Sequence, residues 1–208
     1  MTLTHFAIIA VCAYLLGSLS FAIIVSKLTL GKDIRNYGSG NAGLTNAYRT
    51  MGAKKTLLVL LGDIAKGAAA VSIGMVLAGP VGKLTAGIFV ILGHMFPLYF
   101  GFKGGKGVLV AGGTILAIQP VLIPFLAVIF LACLLPTGMV SLGSVTMAAL
   151  YPVLTILYGV FRGYSAVDLT VCAIGSVIMG AMVIYMHRSN IQRIREGKEY
   201  RFGRHGKK

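Results

Sequence analysis

Acidic residues are scarce in this chain. Among 208 residues there are 5 Asp and Glu, against 19 Lys and Arg. The five carboxylates are scattered at Asp33, Asp63, Asp168, Glu196 and Glu199, so the sequence offers no acidic cluster that could hold Mg²⁺. This argues against metal-dependent phosphotransfer, and we predict neither a metal site nor a cofactor.

Cysteine is also rare. Cys12, Cys133 and Cys172 all lie inside apolar runs, without paired spacing or neighbouring histidines. We expect small buried thiols rather than metal ligands, nucleophiles or disulfides. A further absence is the pattern His-x-x-x-x-Asp, because Tyr99 occupies the fifth position after His94. The charge-paired histidine of the common glycerolipid acyltransferases is therefore missing.

Charged residues make up only 12% of the chain, whereas 57% is hydrophobic and the mean hydropathy is +0.87. This composition is too apolar for an ordinary soluble domain and indicates an integral membrane protein. The net charge of +14 would suggest nucleic acid for a soluble chain. In a membrane protein the natural partners are anionic lipid headgroups or phosphorylated substrates, and we predict no nucleic-acid partner.

Seven apolar stretches predict an all-α integral membrane protein with seven transmembrane helices. They are residues 6–25, 56–78, 84–100, 108–118, 121–135, 145–158 (with a start nearer Val140 as an alternative) and 169–186. The stretches 108–118 and 121–135 are short for a bilayer and predict a short or tilted helical hairpin. A turn is expected at residues 79–83. We predict one domain over residues 1–208, acting as a monomer.

The basic residues predict the orientation. Positive charge follows the first apolar stretch instead of preceding it, so we expect this stretch to be retained, with the N-terminus outside. In this topology only Lys83 and Arg162 face the outside. The C-terminus and a basic tail at about residues 187–208 are cytoplasmic. Three polar clusters, at residues 37–50, 94–108 and 187–199, then converge on the cytoplasmic face.

The first cluster alternates glycine with polar residues. Gly38-Ser39-Gly40-Asn41 and Thr45-Asn46 place N–H groups, hydroxyls and amides close together, and Arg49 can hold a phosphate with two parallel hydrogen bonds. The alternative is an Asn/Gly turn capped by Ser39 and Thr45, with Arg49 on lipid phosphates.

The second cluster contains two lysines among three glycines, in the segment Phe102-Lys103-Gly104-Gly105-Lys106-Gly107-Val108. It predicts a phosphate cradle at the membrane surface, and a flexible turn with a basic anchor is the alternative. It is not a nucleotide P-loop, because Lys106 is followed by Gly107 and not by Ser or Thr. Nearby His94 is a candidate proton carrier, or else a hydrogen-bonded structural residue.

The third cluster places His187 and Asn190 three residues apart, on one helix face if the last span continues inward. The alternative is a basic tail that binds the membrane surface, which we accept for residues 201–208. Separately, Asp63 and Lys66 lie within the second apolar stretch at a spacing that allows them to pair as structural support for the loops. A membrane transporter or channel for an anionic phosphorylated solute is the rival class, but polar groups gathered on one face favour interfacial catalysis.

Together these motifs resemble the bacterial acyl-phosphate:glycerol-3-phosphate acyltransferases, the PlsY family. The resemblance is carried by Gly38-Ser39-Gly40-Asn41-x-Gly43-x-Thr45-Asn46-x-x-Arg49, Gly93-His94-x-Phe96-Pro97 with residues 102–108, and His187-x-x-Asn190-Ile191-x-Arg193 with Gly197 and Glu199. It extends to Asp63-x-x-Lys66-Gly67 and Ser141-Leu142-Gly143-Ser144. The chain departs from the family at Leu44, where Ala is frequent, and at residues 137–139, where an Arg is expected before Ser141.

The resemblance implies transfer of an acyl group from acyl phosphate to the 1-hydroxyl of sn-glycerol 3-phosphate, giving lysophosphatidic acid and inorganic phosphate at the cytoplasmic face of a bacterial inner membrane. Its implied catalytic residues are Ser39, Arg49, Lys106, His187 and Asn190. Its implied substrate- and phosphate-binding residues are Gly40, Asn41, Thr45, Asn46, His94, Lys103, Gly104, Gly105, Gly107 and Arg193. The proton of the attacking hydroxyl could pass to His187, to His94 or to the departing phosphate; we favour the phosphate.

Overall fold

The computed structural model describes residues 2–202, and within them every regular element is a helix. The α-helices are α1 (Leu3–Gly17), α2 (Phe21–Leu30), α3 (Leu44–Met95), α4 (Val108–Ile118), α5 (Leu122–Thr137), α6 (Val140–Phe161), α7 (Ala166–Met186) and α8 (Arg188–Arg195). Short 3₁₀ turns lie at Ile34–Asn36 and Leu98–Phe100. The chain forms two compact units, Met1–Pro120 and Val121–Lys208. The predicted single domain stays a prediction.

Among residues 2–202, four helical stretches are long and apolar enough to cross a membrane. They are Leu3–Leu30, Leu44–Phe100, Val140–Phe161 and Ala166–Met186. Val108–Ile118 and Leu122–Thr137 are shorter apolar helices. The prediction of an all-helical membrane protein is confirmed, and α4 has the bounds expected from the sequence. The count of seven crossings stays a prediction.

The first apolar stretch is interrupted, unlike the continuous helix predicted over residues 6–25. Helix α1 ends at Gly17 and α2 begins at Phe21. At the interruption the Ser18 hydroxyl donates to the Tyr14 carbonyl at 2.8 Å and accepts the Leu98 N–H at 3.2 Å. Backbone N–H and C=O groups at a break in a helix need such partners inside a membrane, because lipid supplies none.

Helix α3 reverses direction near its middle. The backbone leaves helical geometry at Ala78 and Gly79, just before Pro80, and the φ of Gly79 is +59°. A Cβ added to either Gly74 or Gly82 would collide with the carbonyl oxygen of the other. In a straight helix these residues would be about 12 Å apart, so α3 is a helical hairpin whose two arms touch through glycine. The reversal begins at the predicted turn.

The first unit is packed around this hairpin. The Gly93 backbone lies against the Tyr14 carbonyl of α1, and the Gly67 backbone against the Val110 carbonyl of α4. Glycines at these contacts let the helix backbones approach closely, as is usual in membranes. Helix α2 and the following loop bury Ile23, with other apolar side chains, beside the start of α3. This packing fixes both ends of the loops that carry the polar clusters.

The second unit contains α5 to α8. The Gly143 backbone of α6 lies against the Phe130 ring of α5, and the Gly180 backbone of α7 against the Ala148 carbonyl of α6. The chain after α8 returns to the turn between α5 and α6, where the Phe202 N–H donates to the Gly138 carbonyl at 2.6 Å. Thus the segment 137–139 closes against the C-terminal segment.

The prediction that the three cysteine thiols are buried is wrong. No disulfide joins the three, all of which lie in the described part of the chain. However, Cys12 is exposed, and Cys133 and Cys172 are partly buried. An apolar run in a membrane helix includes positions that face lipid as well as positions that face protein, so the run alone did not place these thiols in the interior.

Candidate functional site

The first polar loop, residues 33–43, is folded around the side chain of Asn46, which is 1% exposed. The Asn46 Oδ1 accepts the Ser39 N–H at 2.9 Å. Its Nδ2 lies 3.2 Å from the Ile34 carbonyl oxygen and 3.0 Å from those of Tyr37 and Asn41. Asn46 was predicted to bind substrate; its observed contacts hold the loop, and binding stays a prediction.

The first loop presents side chains outward. Ser39, Gly40 and Arg49 are exposed, whereas Asn41 and Thr45 are partly buried. The Ser39 N–H is used by Asn46, and the Gly40 N–H donates to the Tyr37 carbonyl at 3.0 Å. These two amides are therefore engaged within the loop. Of the side chains predicted to bind an anion here, Ser39 of the loop and Arg49 of α3 are the exposed ones.

The second polar loop, residues 96–107, carries the lysines into α4. The Gly104 N–H donates to the Met95 carbonyl at 3.1 Å, and the Gly105 N–H to the His94 carbonyl at 3.2 Å. These glycine amides point back at the end of α3. The predicted phosphate cradle would instead use the N–H groups that begin α4, just after Gly107, with partly buried Lys106 beside them. Lys103 is exposed.

Arg35 joins the two loops and was missed from the sequence. Its Nη1 donates to the Phe100 carbonyl at 2.6 Å and to the Lys103 carbonyl at 3.1 Å. Its Nε and Nη2 donate to the Asp33 carboxylate at 3.0 and 2.8 Å. The hydrogen bond from Arg35 lowers the pKa of Asp33 despite partial burial, and the same bond raises the pKa of Arg35. The spacing Asp33-x-Arg35 was the available signal, but the partners 65 and 68 residues away were not visible in it.

The predicted pairing of Asp63 with Lys66 is confirmed, because Lys66 Nζ lies 2.8 Å from Asp63 Oδ1 and both side chains are 2% exposed. His94 joins this pair. Its Nδ1 is 3.0 Å from Lys66 Nζ and 3.7 Å from Asp63 Oδ1, and the residue is 3% exposed. His94, predicted as a substrate ligand, thus makes its ring contact with buried protein charges.

The third cluster is organised by Glu199 in the second unit. Its Oε1 accepts from the Ser141 hydroxyl at 2.7 Å and from Asn190 Nδ2 at 2.6 Å, and its Oε2 accepts from Arg193 Nε at 2.8 Å. Burial alone would raise the pKa of Glu199, but these hydrogen bonds and the positive charge of Arg193 together lower it. Asn190 and Arg193 are therefore held in fixed orientations. Ser141 and Glu199 carried the resemblance but were not predicted as site residues.

His187 stands between α7 and α8 and is 3% exposed. Its Nδ1 lies 2.8 Å from the Val183 carbonyl oxygen. A carbonyl only accepts, so Nδ1 carries a proton, and Nε2 is the nitrogen that can accept one. His187 and Asn190 are both buried, and that they share one helix face stays a prediction, because α7 ends at Met186 and α8 begins at Arg188.

The structure brings the first two clusters together, since Arg35 connects them and the Ala42 carbonyl lies against Gly105. That the third cluster joins them stays a prediction. Among residues 2–202, no three His, Cys, Asp or Glu side chains are grouped as metal ligands.

The profile of the glycerol-3-phosphate acyltransferase family matches residues 7–197. Similar proteins include the glycerol-3-phosphate acyltransferase of Geobacillus kaustophilus, 42% identical over 90% of this chain and 91% of the relative. The enzyme of that name from Bacillus subtilis is 40% identical over 90% of this chain and 93% of the relative. The one from Syntrophomonas wolfei is 39% identical, covering 93% and 95%.

Solved structures of PlsY (YgiH), an integral membrane glycerol 3-phosphate acyltransferase, have the same fold. The glycerol 3-phosphate form superposes with a TM-score of 0.83 at 37% identity, covering 95% of this chain and 96% of that one. The lysophosphatidic acid form gives a TM-score of 0.82 at 35% identity, covering 95% of each chain.

Proposed function

Because this chain belongs to the PlsY family of glycerol-3-phosphate acyltransferases, which it matches over nearly its whole length, we propose that its acyl donor is an acyl phosphate. The protein is a membrane-embedded acyltransferase of phospholipid synthesis that acylates glycerol 3-phosphate to lysophosphatidic acid. The proposal adds the donor, the 1-hydroxyl as the site of acylation, and inorganic phosphate as the second product.

The proposed donor is supported by the cationic surface that the two adjacent loops and the start of α3 form in the first unit. It offers the Ser39 hydroxyl, the Arg49 guanidinium and, beside the first turn of α4, the Lys106 ammonium. In an acyl phosphate the phosphate is bonded directly to the reacting carbonyl, so donors that bind it also stabilise the leaving group. An acyl thioester has no phosphate at that position and would leave this surface without a role in the chemistry.

The acceptor, glycerol 3-phosphate, is assigned to His187, Asn190 and Arg193. Glu199 orients two of these side chains, and the Val183 carbonyl orients the third. Side chains held in place by other groups need little reordering when a substrate binds, which favours alignment of the bound hydroxyl. Lys103 is exposed on the second loop and is assigned a supporting electrostatic role.

The reaction needs one bond exchange and one proton transfer. The 1-hydroxyl oxygen bonds to the carbonyl carbon, the bond from that carbon to the phosphate oxygen breaks, and the hydroxyl proton moves to the departing phosphate. His94 is buried with Lys66 on its Nδ1, so it is a poor candidate for the base.

A His94→Asn/His187→Asn double variant removes both imidazoles and should retain turnover with an unchanged shape of the pH–rate profile. Complete loss of turnover with substrate binding intact would assign the base to the protein.

A donor competition tests the proposed function. Purified protein in detergent is given glycerol 3-phosphate with palmitoyl phosphate or palmitoyl-CoA, and phosphate release and lysophosphatidic acid are measured. We expect product only from palmitoyl phosphate, with one phosphate released per ester formed. A Lys106→Met variant should lose at least about tenfold in kcat, as removing a transition-state anion donor does. Product from palmitoyl-CoA without phosphate release would refute the proposed donor.

We place the protein in a bacterial inner membrane as a monomer with seven crossings, an external N-terminus and the site on the cytoplasmic face. The support is the distribution of basic residues, since only Lys83 and Arg162 are left for the outer side. Glycerol 3-phosphate is a soluble dianion, so a cytoplasmic site gives it direct access, while the acyl chain of the donor stays in the bilayer.

A further inference from the structure

A buried ammonium connects the interruption of the first apolar stretch with α3. Lys66 Nζ lies 3.1 Å from the Gly17 carbonyl oxygen and 2.6 Å from that of Leu19. Gly17 is the last residue of α1 and Leu19 lies before α2, so the regular helical hydrogen bonds stop at these carbonyls. Asp63 Oδ1, 2.8 Å from the same Nζ, supplies the counter-charge.

The same ammonium holds the ring of His94. An ammonium has only N–H donors, so His94 Nδ1 accepts from it, and the neutral ring carries its proton on Nε2. A Cβ added to Gly105 would come closer than 3.0 Å to both His94 Nε2 and the Ala42 carbonyl oxygen. Both groups therefore lie beside the Gly105 backbone. The His94 carbonyl also accepts the Gly105 N–H at 3.2 Å. His94 therefore lies where the first and second polar loops meet.

We propose that Lys66, with Asp63 as its counter-ion, is a positioning residue for acyl transfer: it fixes His94, and through His94 the placement of the two polar loops. Asp63, Lys66 and His94 are only 1%, 3% and 3% exposed, so they act through the loops and not on the substrate. The inference rests on the proposed function, because the placement matters for catalysis only if these loops hold the donor's phosphate.

The contact with His94 separates this role from simple support of the interrupted helix. Capping the interruption requires the ammonium and the carbonyls of Gly17 and Leu19, and it would leave the His94 ring unused. Ionisable side chains are costly inside a membrane, and a carboxylate, two carbonyls and an imidazole around one ammonium make this one a connected network. Loss of this network should therefore first disturb the placement of the two polar loops.

The first test removes both buried charges together. Loss of one partner alone would leave an unpaired buried charge and threaten folding, whereas an apolar replacement of both is commonly tolerated. For an Asp63→Leu/Lys66→Met double variant in detergent, we expect a thermal midpoint slightly below wild type, because the Gly17 and Leu19 carbonyls lose a donor, and kcat lowered by at least about tenfold. Hydrogen exchange should accelerate in peptides covering residues 33–46 and 94–108 and stay unchanged over 140–186.

The control is Thr114→Val, which removes a buried hydroxyl of α4 that has no hydrogen-bond partner among the described residues; exchange and kcat should match wild type. Unchanged exchange in both loops of the double variant would overturn the proposal. So would a fall in the midpoint with faster exchange throughout residues 2–120, since that would make the network a general support of the fold.

Two substitutions of His94 test whether Lys66 positions this ring, even if the double variant does not fold. Asn places an acceptor near the position of Nδ1 and keeps the contact with Lys66, whereas Gln extends toward the position of Nε2 and does not. We expect His94→Asn to retain at least about tenfold more kcat than His94→Gln, with equal midpoints. Equal activities, or the reverse order, would overturn the role of Lys66. Failure of wild-type protein with palmitoyl phosphate would refute only the donor, because the exchange measurements need no substrate.

Discussion

At the scale of single residues, Asn46 has the clearest consequence for stability. Its carboxamide contacts one N–H and three carbonyls of the first polar loop from a buried position. In Asn46→Asp the side chain keeps its shape but loses both donors, and a carboxylate would face three carbonyl oxygens. We expect the free energy of unfolding to fall by about 3 kcal/mol, as for other buried groups left without partners. Reversible denaturation in detergent would measure this change.

The matched substitution is Asn36→Asp, an exposed position in the same loop, for which a change within about 0.5 kcal/mol is expected. Equal effects of the two substitutions would mean that Asn46 does not organise the loop. The sequence predicted that Asn46 belongs to the site but could not separate a ligand from a residue that shapes one. Both roles use the same carboxamide, and only the geometry of its partners distinguishes them.

Glu199 should make the stability of the second unit depend on pH. Its pKa is lowered in the folded protein because the hydrogen bonds and charge around it outweigh burial. A carboxyl group with a lowered folded pKa stabilises the fold above its unfolded pKa of about 4.3, and this contribution is lost as pH falls through the folded value. Glu199→Gln should therefore have a lower thermal midpoint than wild type at pH 7. The difference should shrink as the pH falls below about 4.

Glu196→Gln is the control, because Glu196 pairs with Lys198 at the surface, where such pairs contribute about 0–1 kcal/mol. The quantity to compare is the midpoint difference from wild type, measured by thermal unfolding in detergent from pH 3 to pH 7. A difference for Glu199→Gln that stayed constant over this range would show that the charge contributes nothing.

At the scale of elements, the two arms of α3 depend on a close glycine contact. A Cβ on Gly82 would overlap the Gly74 carbonyl, whereas a Cβ on Gly112 of α4 would meet nothing within 4 Å. We expect Gly82→Ala to lower the free energy of unfolding by about 1–3 kcal/mol through overpacking. Gly112→Ala should be neutral or stabilising by up to about 1 kcal/mol, from its better helix propensity. Denaturation of both variants in one detergent would test the pair, and a loss of stability in Gly112→Ala equal to that in Gly82→Ala would contradict it.

Local signals were sufficient for several elements and insufficient for others. The apolar run 108–118 gave the bounds of α4, and the spacing of Asp63 and Lys66 gave their contact, because both depend on neighbours in sequence. The interruption between α1 and α2 was missed because the run 6–25 contains no proline or charge. What stabilises it is Lys66, 47 and 49 residues away from the carbonyls it caps. The role of Arg35 was missed for the same reason, since its carbonyl partners follow only from the fold.

At the scale of the whole molecule, the polar residues of the three clusters lie in segments that the sequence predicts to be on one side of the membrane. Each polar cluster has its own internal organiser: Asn46 for the first loop, His94 for the second and Glu199 for the third. These organisers are buried or partly buried, whereas Ser39, Arg49 and Lys103 are exposed. A rigid set of organisers beneath accessible cations suits an enzyme whose contribution is to position two anionic substrates.

The side of the membrane on which these clusters lie can be measured directly. In a variant lacking the three native cysteines, single cysteines replace Lys54, Lys83, Arg162 or Lys198, and intact cells are treated with a membrane-impermeant maleimide. Apart from Lys83, Arg162 and the buried Lys66, the Lys and Arg residues fall in segments assigned to the cytoplasm, and this bias orients membrane helices. We therefore expect Lys83→Cys and Arg162→Cys to react in intact cells, and Lys54→Cys and Lys198→Cys only after permeabilisation. Reaction of Lys54→Cys and Lys83→Cys from the same side would mean that the first arm of α3 does not cross the bilayer, and the proposed cytoplasmic site would be wrong.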